Sequence, residues 1–506
     1  MAKPGFGVLN WIVLIAYLLL MIIIGYSFKR SSSQSSQEFF KARKSHVPAW
    51  AVGFSIFATT LSAITYMSTP AKSYDTDWTY AFGNLSIFLI APIIIQFYIP
   101  FFTKLNVTTA YEYLEDRFNT FLRVFSSLLF ILFHIGRIAI VIYLPTVALE
   151  SIIHINPYIV AILITGLCIV YTYLGGMEGV IWGDVIQGIL LLVGAVTIIA
   201  FAVFKTPGGW NTTIHEAITH GKILTKNDFA WSVARATVPI VLLGQIFNSL
   251  YQYTASQDVV QRYTTSTDPK HIAKSIWTNA ILSLITIPLF YGMGTVLYGF
   301  YHKATSLPAG FNIAALVPYF VLTQIPAGVA GLIIAAIFAA SQATIASSLN
   351  STAACVVTDF QKRFMKDKSD KMSMKLTRGT ILIVGIISLL GTLALIKLRR
   401  QDMLDAYLSL FGLFGVPIAG TFALGILSTR ANGFGATVGM LLTSLICYFI
   451  QTHGVNALLV SCIGFIGSMV LGYVFSFFKK STKDITGLTY KTINHKYSKV
   501  NSRKDV

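Results

Sequence analysis

The sequence predicts an all-α membrane protein with many spanning helices. Of its 506 residues, 55% are hydrophobic and only 11% are charged, whereas soluble domains carry about 25% charged residues. The apolar residues occur in runs of about twenty, the length with which a helix crosses the hydrocarbon core of a bilayer. A transmembrane β-barrel would show short alternating strands instead. Segments such as IFLIAPIIIQFYIPFF do not alternate, and this excludes the barrel.

Polar segments divide the apolar runs into thirteen predicted spans. Basic residues accumulate on cytoplasmic loops, so Lys29, Arg30, Lys41, Arg43 and Lys44 place the first loop inside the cell. The basic tail is also expected inside, and the N-terminus is therefore expected outside and the C-terminus in the cytoplasm. This orientation requires an odd number of spans. The predicted spans are 8–28, 48–68, 79–102, 122–150, 156–174, 180–204, 234–258, 272–301, 326–357, 378–397, 404–428, 433–452 and 456–478.

The charge and cysteine patterns exclude several other classes of protein. The net charge is +18, but the basic residues lie at helix ends and in the tail, not in an aromatic and basic patch, so no nucleic-acid partner is expected. Neither the histidines nor Cys168, Cys355, Cys447 and Cys462 show metal or disulfide spacing. We expect no organic cofactor and a solvated tail over residues 479–506.

Two of the spans are unusually polar. Segments 48–68 and 234–258 are rich in hydroxyl and amide side chains, and each opens a block of five spans. This pattern is typical of transporters built from two inverted repeats, whose discontinuous helices meet at the membrane midplane. The repeats would cover residues 48–204 and 234–428. In the alternative interpretation, these side chains only bond back to their own helix or join neighbouring helices.

A third polar segment is GLIIAAIFAASQATIASSLNSTA, residues 331–353. Small residues at this spacing allow close helix packing, but packing alone does not require hydroxyl groups. Ser341, Thr344, Ser347 and Ser348 add hard oxygen donors, which suit a hard cation such as sodium. Both a cation site and simple close packing remain open from this segment alone.

Arg137 is a lone cation within the apolar run LLFILFHIGRIAIVIYLP. Placing it in a bilayer costs at least about 2.5 kcal/mol on insertion scales, so it needs a partner. An internal carboxylate such as Asp184 or free backbone carbonyls could supply one. A carboxylate on a ligand fits guanidinium geometry at least as well. His134 is expected to be a packing or hydrogen-bonding neighbour and not a ligand.

Four segments, taken in order, resemble the sodium:solute symporter family. They are FATTLSAITYMS, GGMEGVIWGDVIQG, TASQDVVQRY and GLIIAAIFAASQATIASSLNS. Within that family, SIFATTLSAITYMSTPAKSYDTDWT and LFHIGRIAIVIYL are most similar to the bacterial sodium-coupled sialic acid transporters. The resemblance implies a LeuT-type five-plus-five fold within one domain, 1–506, with an extra N-terminal helix at 8–28 and two C-terminal helices at 433–478. It also implies symport of N-acetylneuraminate, a small anion, with sodium across the bacterial inner (plasma) membrane, without a required protein partner.

The resemblance also implies binding residues. Sodium would bind backbone carbonyls and the Thr344 hydroxyl, and the substrate would bind the broken helix, a neighbouring amide and the guanidinium. The family's branch has a glutamine where this chain has Asn84; the shorter amide could reach through water. The implied sodium ligands are Ala58, Leu61, Ala340, Ala343 and Thr344, and the implied substrate contacts are Thr60, Ser62, Thr65, Asn84 and Arg137.

An additional sodium site of some relatives would fall on Asp184, Ala343, Ala346 and Ser347. It normally uses an aspartate, a carbonyl and two hydroxyls, but Ala346 has no hydroxyl. Our hypothesis is that Asp184, Ala343 and Ser347 still form a weaker second cation site.

Three other functions compete with sialic acid symport. A symporter of the same family could carry another small carboxylate or a zwitterion such as proline. A sensor or channel on a transporter scaffold is a different class, and the polar tail is too short for a kinase domain. A membrane enzyme is disfavoured, because the spans contain no paired carboxylates, metal cluster or nucleophile-base motif.

Overall fold

The computed structural model describes residues 6–29, 35–41, 47–105, 107–153, 155–232, 235–398, 407, 409–480 and 483–493. These ranges contain helices and connecting segments and no β-strand. Three groups of residues used above lie outside them: the loop cations Arg30, Arg43 and Lys44, residues 404–406 and 408 within the predicted span 404–428, and residues 481–482 and 494–506 of the tail.

Eighteen helices account for most of the described chain. Three of them, α5, α12 and α14, include short 3₁₀ or π segments. The helices are α1 Val8–Ser27, α2 Ser36–Lys41, α3 Ala49–Thr60, α4 Ala63–Asp75, α5 Thr79–Leu105, α6 Tyr111–Arg117, α7 Thr120–Ile153, α8 Pro157–Lys205, α9 Gly209–Thr219, α10 Val238–Thr254, α11 Gln257–Tyr263, α12 Pro269–Lys303, α13 Leu316–Gln324, α14 Val329–Phe364, α15 Asp370–Leu398, α16 Val416–Leu427, α17 Gly433–Thr452 and α18 Ala457–Phe475.

The chain is a multi-pass membrane protein. Among the described residues, nine helices are long and apolar enough to cross a bilayer, and the bent pair α3 and α4 adds a tenth. The predicted thirteen spans exceed this count partly because α8, which is 49 residues long, is counted once although it consists of two helices joined at a kink. Its backbone leaves helical geometry at Gly176, where φ is 55°, between the predicted spans 156–174 and 180–204.

The polar span 48–68 is interrupted, as predicted. Helix α3 ends at Thr60, α4 begins at Ala63, and the two axes are inclined by 62°. Leu61 and Ser62 between them are extended, with ψ values of 109° and 174°. Side-chain hydroxyls favour such a break because they offer the backbone alternative partners. Here the Thr60 hydroxyl donates to the Phe57 carbonyl at 2.9 Å.

The second polar span also breaks, although near its end. Helix α10 ends at Thr254 and α11 begins at Gln257. Between them Ala255 lies outside helical geometry, with φ of −130° and ψ of −12°. The break brings Asp258 and Arg262, both on α11, into the buried core of the protein.

Helix α14 lies at the centre of the bundle. It packs against α1, α3, α4, α7, α8 and α15, and its residues from Ile333 to Cys355 are buried. The small residues of segment 331–353 therefore do serve close packing. The expected solvated tail is wrong for residues 483–493, because Leu488 is buried and its carbonyl accepts a hydrogen bond from the Tyr113 hydroxyl at 2.9 Å.

The contact between α4 and α12 generates a stability prediction. A Cβ atom on Gly294 of α12 would lie 2.4 Å from the Pro70 carbonyl oxygen of α4, whereas one on Gly292 would meet no atom within 4 Å. We expect Gly294→Ala to destabilise the protein by about 1–3 kcal/mol through overpacking. The matched control, Gly292→Ala, should leave the thermal midpoint of the detergent-solubilised protein unchanged. Equal midpoints for the two variants would contradict this packing.

Candidate functional site

A cavity opens at the bend between α3 and α4. Its volume is about 190 Å³, space for on the order of a dozen water molecules. The opposite walls are formed by α5, α10 and α12. On the side of the bend, Leu61 lines the cavity. Most of the lining side chains are polar but uncharged, and they include Thr60, Thr65, Thr69, Asn84, Gln245, Asn248, Ser249, Gln252, Ser283 and Thr286.

Three of the five implied substrate contacts line this cavity. Thr60, Thr65 and Asn84 do so, and the Asn84 amide donates to the Thr286 hydroxyl at 3.2 Å. Ser62 lies in the break itself but is only 2% exposed and is not among the lining residues. The bend therefore brings most of the proposed contacts to one surface.

Arg137 also does not line the cavity, and its guanidinium is paired inside the protein. Nη1 donates to Asp258 Oδ2 at 2.8 Å, and Nη2 donates to the Thr59 carbonyl at 2.9 Å. The side chain is 1% exposed and does not line the cavity. The ring of Tyr407, which does line it, lies 6.0 Å from the guanidinium carbon. Both internal partners considered from the sequence are thus present, with Asp258 in place of Asp184.

The implied sodium ligands lie on elements that pack together, α3 and the following break on one side and α14 on the other. The last carbonyls of a helix lack helical partners, which applies to Ala58, and Leu61 lies in the extended break. Across from them, the Thr344 hydroxyl is 3.4 Å from the Thr59 carbonyl and 3.4 Å from that of Ala340. All of these residues are buried. A set of carbonyl and hydroxyl oxygens fits a hard cation such as sodium, so these residues are able to hold the ion.

At the hypothesised second cation site, Asp184 and Ser347 bind the guanidinium group of Arg262. The Arg262 Nη2 atom donates to Asp184 Oδ2 at 2.6 Å and to the Ser347 hydroxyl at 2.6 Å. Ser55 and Thr59 complete the shell, with hydroxyls 2.5 Å and 3.4 Å from the same Asp184 oxygen. The other oxygen, Asp184 Oδ1, is buried and has no hydrogen-bond partner in the described part of the chain. An unpartnered carboxylate oxygen is a suitable cation ligand.

Sequence reasoning missed the roles of Asp258 and Arg262. Both lie in the motif TASQDVVQRY, but neither was paired with the other ionisable residues in apolar segments. Counting the ionisable residues within the apolar segments would have indicated these partners. Arg137, Arg262, Asp184 and Asp258 are two cations and two anions, and buried charges require partners.

Comparison with known proteins supplies the family. The sodium:solute symporter family matches residues 39–443. The sodium/sialic acid symporter NanT of Aliivibrio fischeri is 42% identical over 476 residues, which cover 94% of each chain. The sodium/sialic acid symporter SiaT of Proteus mirabilis is 43% identical over 471 residues, which cover 93% of this chain and 94% of that protein.

Two solved structures share the architecture. A substrate-bound, outward-open sodium-coupled sialic acid symporter superposes with a TM-score of 0.89 and 41% identity, covering 94% of this chain and 98% of that one. Mhp1, a transporter of the nucleobase-cation-symport-1 family, shares the fold with a TM-score of 0.55 and 13% identity, covering 86% of this chain and 92% of that one. The chain therefore belongs to the sodium:solute symporter family, whose members are secondary transporters of the plasma membrane and not enzymes.

Proposed function

We propose that this protein carries N-acetylneuraminate into the cell together with sodium, by alternating access across the bacterial inner membrane. The observation that carries the proposal is the cavity at the interrupted helix, which places uncharged hydroxyl and amide groups next to a set of buried oxygen ligands. A sugar acid needs many such hydrogen-bonding groups around its hydroxyls. The names of the two bacterial relatives, about 42% identical over most of the chain, support the same substrate.

We propose the LeuT-type arrangement of two inverted five-helix repeats, 48–204 and 234–428, with an N-terminal helix at 8–28, two C-terminal helices at 433–478 and the tail 479–506 in the cytoplasm. The break at Gly176 supports counting α8 as two spans. Each proposed repeat also opens with a helix that is interrupted, at Leu61 and at Ala255. The outside N-terminus follows from the basic loops.

In this proposal sodium joins α3 to α14. The carbonyls of Ala58 and Leu61 bind the ion from one side, and Ala340, Ala343 and Thr344 bind it from the other. An ion at this point fixes the bend of the broken helix, and with it the positions of the substrate contacts at Thr60, Ser62 and Thr65. Sodium then raises substrate affinity, and by linkage the substrate raises sodium affinity by the same factor.

Arg137 remains our proposed partner of the substrate carboxylate, with Asn84 contacting the sugar. Support comes from the position of its guanidinium, which donates to the Thr59 carbonyl directly before the cavity-lining residue Thr60. Its Nε atom has no hydrogen-bond partner among the described residues. The centroid of the Tyr407 ring lies 6.0 Å from the guanidinium carbon, and this ring lines the cavity whereas Arg137 does not. In our proposal the Tyr407 ring moves when a carboxylate binds Arg137.

We also propose a weaker second cation site at Asp184, Ala343 and Ser347. The unpartnered Asp184 Oδ1 atom supports it, and Arg262 must release Ser347 before sodium binds. A second ion would matter for accumulation. One sodium per monoanion supplies about 1.4 kcal/mol for a tenfold gradient, whereas a second ion adds the same amount and about 2.3 kcal/mol per 100 mV of membrane potential.

The first test is uptake of labelled N-acetylneuraminate into proteoliposomes that contain the purified protein. An inward sodium gradient should drive accumulation, and a matched potassium gradient should not. Competition with unlabelled proline and pyruvate should be weak if the substrate is sialic acid. A folded protein that takes up no N-acetylneuraminate in either salt would exclude this substrate and favour another carboxylate or a zwitterion.

The main sodium site is tested at Thr344. Thr344→Ala removes one ion ligand, and we expect about a tenfold or larger rise in the sodium concentration for half-maximal uptake, since a bond to a charged group contributes about 1.5–3 kcal/mol. Thr344→Ser keeps the oxygen and should stay near the wild-type value. The same sodium dependence in wild type and Thr344→Ala would argue against this site.

The second site is tested at Ser347, which leaves the Arg262–Asp184 ion pair in place. If a second sodium binds there, Ser347→Ala should lower the Hill coefficient of sodium-dependent uptake from near two toward one. Ser351→Ala is a matched control one turn away, because among the described residues its hydroxyl donates to the Ser347 and Ser348 carbonyls of its own helix and to no other group. An unchanged Hill coefficient in Ser347→Ala would mean that Arg262 keeps the second ion out.

A further inference from the structure

The cavity has one charged side chain among its described lining residues, and it belongs to Lys72 of α4. Lys72 lies half-buried near the end of the helix, and its ammonium is 5.8 Å from the centroid of the Tyr80 ring. In the described ranges no carboxylate lies within 4.0 Å of it. The buried cations Arg123, Arg137 and Arg262, in contrast, each pair with an acidic side chain.

Lys72 shares a helix face with two of the cavity hydroxyls. Thr65, Thr69 and Lys72 follow the spacing i, i+4, i+7, which places their side chains on one side of α4, and all three line the cavity. Seven residues correspond to about 10 Å along the helix axis. The Cα atom of Lys72 is therefore about 10 Å beyond that of Thr65 along the helix axis, toward the end of α4 at Asp75.

The Lys72 ammonium and the Arg137 guanidinium differ in their partners, and therefore in how readily each can bind a carboxylate in the cavity. Arg137 is held by Asp258, and its guanidinium carbon lies 6.0 Å from the Tyr407 ring centroid. Lys72 lines the cavity, and among the described residues its ammonium lies near the Tyr80 ring with no carboxylate within 4.0 Å. An ammonium without a counter-ion in a cavity of neutral groups attracts anions, because the surrounding low-dielectric walls weaken screening. Asp75 is the last residue of α4, three residues after Lys72, and the two form no ion pair within 4.0 Å among the described residues. Asp77 lies beyond the helix, and its carboxylate accepts from the Thr79 amide at 2.6 Å.

We propose that Lys72 forms a second, outer carboxylate-binding subsite of the cavity, in which its ammonium receives the carboxylate of the substrate. Thr69, one turn earlier on the same face, is the neighbouring hydrogen-bonding group. This inference rests on the proposed transport of a small carboxylate. The anion binds at Lys72 while Tyr407 covers Arg137, and it passes to the guanidinium when the ring moves.

Lys72 could instead serve only the helix end, where a cation interacts favourably with the helix dipole. However, backbone and hydroxyl hydrogen bonds from Thr76 already stabilise the C-terminal end of α4. The Lys72 carbonyl accepts hydrogen bonds from both the amide and the hydroxyl of Thr76, each at 2.8 Å. Substitution of the side chain leaves these two bonds intact, so Lys72 variants are expected to fold.

The test compares Lys72→Gln with Lys72→Arg and with Lys222→Gln in proteoliposome uptake. Lys222 is a matched control because it lies near the same helix end, donates to the Asp75 carbonyl at 2.7 Å and does not line the cavity. We expect Lys72→Gln to raise the N-acetylneuraminate concentration for half-maximal uptake about tenfold or more, with the maximal rate within about twofold of wild type. Lys72→Arg and Lys222→Gln should stay within about threefold of wild type.

The methyl ester of N-acetylneuraminate separates charge recognition from a structural effect. Because the ester is neutral, Lys72→Gln should not change its inhibition constant against labelled substrate measured in each protein, whereas that of the free acid should rise. An equal rise for acid and ester, or no rise for the acid, would overturn the subsite. Failure of wild-type uptake would instead reject the proposed substrate. The subsite would then be tested by comparing how much pyruvate raises the thermal midpoint of wild type and of Lys72→Gln. Equal stabilisation of wild type and Lys72→Gln, or none in wild type, would overturn it.

Discussion

The interruption of the chain between Thr60 and Ala63 is the constraint on which the other features depend. Without it, α3 and α4 would form one straight helix whose carbonyls all have helical partners. The break leaves the last carbonyls of α3 without helical partners and turns α4 by 62°, so that Thr65 and Thr60 line the same cavity. Extended backbone is tolerated inside a membrane protein only where other groups satisfy it or where it borders a polar space. Both conditions are met here.

A chain of buried charges secures that break. Arg137 bonds to the Thr59 carbonyl and to Asp258, the Asp258 carbonyl accepts from Arg262, and Arg262 pairs with Asp184. The chain connects α3 with α7, α8 and α11, and Ser347 adds α14. Charged groups are tolerated at this depth because each has an opposite partner and further hydrogen bonds. The proposed ion site and the cavity therefore adjoin the same set of buried charges, so a change at either should affect the other through these residues.

The sequence predicted the fold better than the site. Apolar length is a local property, so the predicted span 433–452 coincides with α17, and 8–28 with α1 to within one residue. The contacts of the tail were not predictable in this way, because Leu488 is buried by distant parts of the chain. The same limit applied to the charges. Asp258 lies 121 residues from Arg137, and no local pattern links them.

Internal pairing of Arg137 does not exclude a ligand, because a guanidinium has five N–H donors and the described contacts with Asp258 and Thr59 use two of its nitrogens. The obstacle is steric, since the Tyr407 ring lines the cavity on the side of the guanidinium. A carboxylate that binds Arg137 must therefore favour a conformation in which this ring is displaced. Binding energy then shifts a conformational equilibrium by the difference in affinity between the two states. In the proposed mechanism, recognition of the anion by Arg137 and the movement required for alternating access therefore both depend on the Tyr407 side chain.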